Sequence, residues 1–65
     1  MLISCKIESR AGRVSLRYYA ATNSGRVIWG PKSGAANFPP ETAEKVLSHI
    51  KVIDARAANA ELVNA

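Results

Sequence analysis

The sequence predicts an α+β fold: an antiparallel sheet of three or four strands with one helix packed on one face, in the order β-β-β-α and a final β-strand. Two stretches within residues 2–21 alternate apolar and polar side chains with a period of two, which is typical of half-buried strands. A turn signal then precedes a third short strand, and one amphipathic stripe follows over residues 40–54. Because one helix covers only one side of a sheet, an uncovered face is expected.

The first two predicted strands carry the clearest alternation. Ile3, Cys5 and Ile7 alternate with polar residues over residues 2–9, and residues 13–21 alternate again after a glycine-containing turn. In the second strand we expect the core-facing set to be Val14, Leu16, Tyr18 and Ala20, and the outward set to be Arg13, Ser15, Arg17 and Tyr19.

A hairpin is predicted between the second and third strands. Residues 22–25, Thr-Asn-Ser-Gly, are turn formers and allow a loop of either two or four residues. The third strand is predicted over residues 26–30. In both registers Val27 and Trp29 share the core face and Ile28 points outward, whereas a slip of one residue would reverse this assignment.

Prolines and glutamates mark the start of the helix at residues 40–54, since proline suits the first turn and carboxylates favour the N-terminus. Its apolar stripe consists of Ala43, Val46, Leu47, Ile50 and Ile53. Phe38, just before the helix, is expected to anchor the loop in the core. Residues 55–65 allow either a fourth strand over 61–64 or an alanine-rich helix extension, and the strand is preferred because it covers more of the core.

Length and charge limit the function. The chain has 65 residues, nine Lys/Arg and five Asp/Glu, for a net charge of +4. A single domain over residues 1–65 is too small for a walled active site, so we expect no enzyme and no cofactor. One Cys and one His do not form a four-ligand zinc site, so no metal is expected. The sequence contains no signal or membrane segment, which indicates a cytoplasmic protein with no membrane partner.

Four other sequence features do not indicate a catalytic or ligand-binding site. The segment 30–34, Gly-Pro-Lys-Ser-Gly, departs from the spacing of a phosphate-binding loop, and its proline removes one backbone donor. His49 lies off the apolar stripe of the helix and is expected to be solvated. Cys5 is expected to be a buried, inert thiol, and Trp29 a core residue.

The outward face of the sheet is the candidate binding surface. The residues predicted to bind a partner are Lys6, Arg13, Arg17, Tyr19, Arg26, Ile28 and Lys32. Arginine and tyrosine are enriched in binding hot spots, and the same residues can contact phosphates and bases. The alternatives are a merely solvated surface, a protein-binding face or a nucleic-acid-binding face. Protein binding is preferred to nucleic acid because Tyr19 alone offers a stacking ring, and a homodimer would cover Ile28 and Tyr19 together.

Taken whole, the chain resembles very small bacteriophage and prophage proteins of the anti-CRISPR kind. The resemblance lies in Tyr18-Tyr19-Ala20 before a hairpin, then Arg26-Val27-Ile28-Trp29, a Phe38 anchor, a Glu-Thr-Ala-Glu helix start and an Ala-Glu-Leu-Val ending. It implies a stoichiometric inhibitor in the bacterial cytoplasm that docks its sheet face and the loop over residues 30–37 on a larger bacterial protein or ribonucleoprotein complex. Many such inhibitors are acidic and imitate DNA; the charge of +4 departs from that pattern and implies binding to a protein subunit.

Overall fold

The computed structural model describes residues 1–65 and confirms the predicted α+β architecture. Four antiparallel strands form one open sheet in the order β3-β2-β1-β4, with one helix packed on one face. The elements are β1 Leu2–Glu8, β2 Val14–Asn23, β3 Arg26–Gly30, α1 Pro40–Ile53 and β4 Glu61–Val63. Short 3-10 turns occupy Lys32–Gly34 and Ala55–Asn59. None of the helices has the length and apolar character that crossing a membrane requires.

The C-terminal segment returns to the sheet, as preferred in the sequence analysis. The carboxylate of Asp54 accepts the backbone N–H of Arg56 at 2.9 Å, which ends α1 and begins the second 3-10 turn. β4 then pairs with β1, with Leu2 opposite Val63. The strand interpretation is confirmed and the helix extension is wrong.

The helix buries the predicted stripe except at its last position. Ala43 and Ile50 are fully buried, Val46 and Leu47 are half-buried, and Ile53 is exposed. Ile50 joins a core that also holds Ile3, Cys5, Tyr19, Val27, Ala57 and Ala60. The helix therefore packs over the centre of the sheet, and its last three residues, 51–53, are exposed.

The β2–β3 hairpin has the two-residue loop, Ser24-Gly25. Both residues have positive φ, 51° and 76°, as the type I′ turn of tight hairpins requires. Thr22 lies opposite Val27, the pair expected for this loop length. The turn chemistry therefore fixes the register near the tip.

One residue of β2, Ala20, forms a bulge. Tyr19 pairs with Trp29 and the next pair is Ala21 with Ile28, so Ala20 has no partner in β3. An extra residue in one strand shifts its alternation by one position. Tyr19 and Thr22 consequently face the same side although they are three residues apart.

The bulge reverses the expected faces of the first half of β2. Tyr19, predicted to point outward, is 8% exposed and lies in the core. Val14 and Leu16, predicted to face the core, are 62% and 53% exposed. Tyr18 lies opposite Ser4 and Gly30, away from the core, so its prediction is also wrong. The predicted positions of Val27, Trp29 and Ile28 are confirmed.

Tyr19 is held by aromatic neighbours and a hydroxyl contact. Its ring centroid is 6.4 Å from that of Trp29 in an edge-on arrangement and 6.0 Å from that of Phe38. Its hydroxyl lies 2.8 Å from the hydroxyl of Thr22. Phe38 packs against the core as predicted, and its backbone N–H donates to the carbonyl of Met1 at 2.9 Å.

Replacing each tyrosine by alanine tests the reversed faces. We expect Tyr19→Ala to lower the free energy of unfolding by about 3–5 kcal/mol, because it removes a buried ring. Tyr18→Ala, the matched control on the other side of the strand, is expected to cost about 1 kcal/mol. Chemical denaturation followed by circular dichroism measures both, and a larger loss for Tyr18→Ala would contradict the observed register.

Candidate protein-interaction face

The side of the sheet opposite the helix forms the candidate site. The helix, the Ala55–Asn59 turn and the loop carrying Phe38 all contribute to the core on the other side. Strand register and alternation place the following side chains opposite that core, and we call them the uncovered face: Leu2, Ser4, Lys6, Glu8, Val14, Leu16, Tyr18, Ala21, Asn23, Arg26, Ile28, Glu61 and Val63.

An apolar row runs along β2 on this face. Val14, Leu16 and Tyr18 follow each other at two-residue spacing, about 7 Å apart along the strand. Val14 and Leu16 are largely exposed. Ile28 of β3, 43% exposed, lies opposite Ala21, so Tyr18 stands between it and Leu16 on this face. Single exposed aliphatic residues are ordinary on protein surfaces, but a contiguous exposed set marks an interaction site.

The middle of the uncovered face is a shallow depression. Leu2 and Ser4 are only 5% and 2% exposed although no helix covers them. Ser4 is small and lies between Tyr18 of β2 and Glu61 of β4. The adjoining depression has a volume of about 160 Å³ and is lined by Ser4, Cys5, Lys6, Leu16, Asn59 and Glu61. Ligand pockets begin at about 300 Å³, so this one suits a single inserted side chain.

A second, wider depression has no opposing wall. Its volume is about 470 Å³, and its lining residues Glu41, Glu44, Lys45 and Ser48 all belong to α1. A surface bounded by one helix alone does not enclose a ligand.

The charges on the uncovered face are balanced. Lys6 and Arg26 supply two positive charges, and Glu8 and Glu61 supply two negative ones. The net positive charge of the chain therefore resides elsewhere, and the expectation of a basic sheet face is wrong.

Only part of the predicted binding set lies on this face. Lys6, Arg26 and Ile28 do, whereas Tyr19 is in the core. Arg17 is opposite Cys5 on the helix side, although its side chain is exposed.

The other two predicted binding residues lie off the strands of this face. Arg13 precedes β2 beside the first turn, and Lys32 lies in the first 3-10 turn. Both are exposed. The bulge thus separates Arg17 and Tyr19 from the surface to which they were assigned.

A cluster of hydrogen-bonded polar and titratable side chains lies at the end of α1. The Asp54 carboxylate accepts from Nε and Nη2 of the Arg56 guanidinium, at 3.1 and 2.9 Å, and from the indole N–H of Trp29 at 3.0 Å. The hydrogen bond from Arg56 is the main cause that lowers the pKa of Asp54 to about 2. The cluster ties the helix end to β3.

Cys5 and Asn59 extend this cluster to β1. The thiol donates to the carbonyl of Arg56 at 2.9 Å and lies 3.1 Å from the side-chain oxygen of Asn59. Burial, and secondarily the Asp54 charge, raise the pKa of the Cys5 thiol, which keeps it protonated and poorly nucleophilic. The predicted burial of Cys5 is confirmed.

The side chain of Asn59 makes the hydrogen bonds to β1 that the backbone of a neighbouring strand would otherwise make. Its side-chain oxygen accepts the backbone N–H of Lys6 at 3.2 Å, and its amide nitrogen donates to the carbonyl of Lys6 at 3.3 Å. Asp54, Arg56 and Asn59 are not among the residues predicted from the sequence. An aspartate directly after the helical stripe is an N-cap signal that could have revealed the first two, whereas the role of Asn59 depends on a contact across 53 positions.

No group of three or more His, Cys, Asp or Glu side chains is placed to hold a metal ion. His49 is exposed on α1, as expected. No protein-family model, curated protein or solved structure matches the chain.

Replacing Asp54 by asparagine tests the polar cluster. Because folding lowers this pKa, the ionised carboxylate stabilises the native state fully above the unfolded pKa of about 3.9, and the effect disappears as the pH falls through about 2. We expect Asp54→Asn to lose up to about 2 kcal/mol at neutral pH, less where solvent screens the half-exposed Arg56. Unfolding measured from pH 7 to pH 2 should show a correspondingly flatter profile than wild type, while the exposed-site control Glu44→Gln keeps the wild-type shape. Parallel wild-type and Asp54→Asn profiles would contradict this role.

Proposed function

We propose that this chain is a non-enzymatic protein-binding module that docks on a partner protein through the uncovered face. The observation that carries the proposal is the exposed row of Val14 and Leu16, which continues through Tyr18 toward the exposed Ile28 of β3. An antiparallel sheet covered on one side ordinarily presents polar residues to water on the other. In β2 the distribution is opposite, because Ser15 and Arg17 take the helix side while the aliphatic residues face solvent.

The composition of this face favours a protein over a nucleic acid. Nucleic-acid-binding sheets combine cations for phosphates with several rings for stacked bases. Here the face has balanced charges and a single ring, that of Tyr18. The nucleic-acid-binding alternative, which placed Arg17 and Tyr19 on the same surface, is therefore less well supported.

The size of the molecule indicates how much of its surface the proposed interface requires. The chain measures 35 × 23 × 19 Å. A standard interface takes about 800 Å² from each partner, which requires most of one side of a molecule this small. We therefore include the exposed turn at Lys32–Gly34, within the loop over residues 30–37, in the docking surface.

The narrower proposal concerns the partner. We propose that it is a subunit of a bacterial protein or ribonucleoprotein complex that defends against phage, and that this chain inhibits the complex stoichiometrically in the cytoplasm. The resemblance to small phage proteins motivates this proposal. A docking face on a chain of 65 residues with only open depressions suits inhibition by occupying a surface.

A charge placed in the apolar row tests docking. Immobilised wild-type chain should retain a defined set of proteins from bacterial lysate, and Leu16→Glu should reduce their recovery by about tenfold or more, because docking would bury the new carboxylate. Val52→Glu is the matched control, since Val52 is 84% exposed on the helix. Quantitative mass spectrometry of the retained proteins gives the readout. Equal recovery with both variants would contradict docking through the uncovered face.

Phage plating tests the narrower proposal. In bacteria with active CRISPR interference, expression of the wild-type chain should raise the number of plaques from a targeted phage, and Leu16→Glu should abolish that rise. Val52→Glu should act as wild type. Unchanged plating with the wild-type chain, in cells where it still retains a partner, would contradict defence inhibition and leave docking in place.

A further inference from the structure

We infer that the free edge of β2 at residues 14–17 accepts an extended segment of the partner as an additional strand, one whose side chains alternate between apolar and acidic. This inference rests on the proposed function and specifies how the partner is engaged. This edge includes Val14 and Leu16, whose side chains are exposed.

β3 leaves this part of β2 unpaired. The last pair of the hairpin away from its tip is Tyr18 with Gly30, whereas β2 continues to Val14 and pairs there only with β1. Pro31 follows Gly30 and has no N–H to donate, and the chain then enters the 3-10 turn. The turn at Lys32–Gly34 then lies against β2, and the backbone N–H of Ala36 donates to the carbonyl of Tyr19 at 3.0 Å. No strand, however, pairs with residues 14–17 on this side.

The backbone groups of Leu16 point toward this unpaired side. Leu16 lies opposite Lys6, and Lys6 directs both its N–H and its carbonyl at Asn59, on the side of β4. In an antiparallel ladder, two opposite residues that do not bond each other direct these groups away from each other. Leu16 therefore directs its N–H and carbonyl away from β1, and Val14, two residues along, does the same.

The neighbouring side chains define the chemistry of the incoming strand. On the uncovered side it would lie against Val14 and Leu16, and on the helix side against Ser15 and Arg17, with Arg13 just before the strand. Cross-strand neighbours on one face interact, and opposite charges are favourable. A segment with apolar residues on one side and Asp or Glu on the other fits both sides of this edge.

A second copy of this chain fits the edge poorly. Antiparallel pairing of two copies about Ser15 would place Arg13 of each copy beside Arg17 of the other, and like charges directly opposite destabilise a sheet. Each copy also has a net charge of +4. In this register, and with this net charge, a foreign acidic segment complements the edge better than a second copy does.

Titration of the ¹⁵N-labelled chain with a blocked peptide of alternating valine and glutamate tests the inference. At peptide concentrations up to about 1 mM, the amide signals of Val14 and Leu16 should shift and their hydrogen exchange should slow. The counterpart with lysine in place of glutamate should bind about tenfold more weakly. A fully N-methylated Val-Glu peptide should not bind, because it cannot donate to β2.

A charge reversal in the protein provides the matched control. Arg17→Glu changes an exposed side chain, so the fold should persist, and the preference for the glutamate peptide should disappear because the new carboxylate offsets the charge of Arg13. Absence of shifts at Val14 and Leu16, equal binding of the N-methylated peptide, or a concentrated free protein that already protects these amides as a dimer would each overturn the inference. None of these results would change the outcome of the lysate experiment with Leu16→Glu, which tests docking through the uncovered face independently.

Discussion

The sidedness of the whole sheet depends on one unpaired residue, Ala20. Because side chains alternate with a period of two, a single extra residue in β2 moves every position before it to the opposite side of the sheet. Toward the hairpin tip Thr22 remains on the helix side opposite Val27, and before the bulge Tyr19 takes the place that Ala20 would otherwise occupy opposite Trp29. The burial of Tyr19 in the core and the exposure of Val14 and Leu16 both result from this one shift.

The core explains why the shifted register is favourable. Much of what surrounds its centre is small, with alanines at 43, 57 and 60, so one helix leaves space that a large side chain must fill. Tyr19 fills it between Trp29 and Phe38, and its hydroxyl reaches Thr22. Without the bulge an alanine would stand there, and a cavity would form next to the most buried part of β1.

The sequence was sufficient for the elements but not for the face of β2. Local periodicity and turn chemistry determine where strands and the helix lie, and Ser24-Gly25 alone sets the hairpin loop. Which face of β2 points to the core cannot be predicted from local sequence. Both alternating sets of side chains contain a tyrosine, and the set with more apolar residues, which includes Val14 and Leu16, is the one that faces away from the core. Three predicted site residues, Lys6, Arg26 and Ile28, reach the uncovered face because β1 and β3 contain no bulge. Asn59 acts through a contact that no local pattern encodes.

An apolar row next to an open strand edge invites aggregation, and the chain opposes this with charge. Open edges template pairing with any extended chain, and proteins protect them with short length and cationic side chains. Here the open stretch is only residues 14–17, and Arg13 and Arg17 are spaced so that two copies in antiparallel register repel each other. The same arginines attract a strand of opposite charge. Under the proposed strand addition, the arginines that disfavour this self-pairing are also the ones that favour an acidic partner strand.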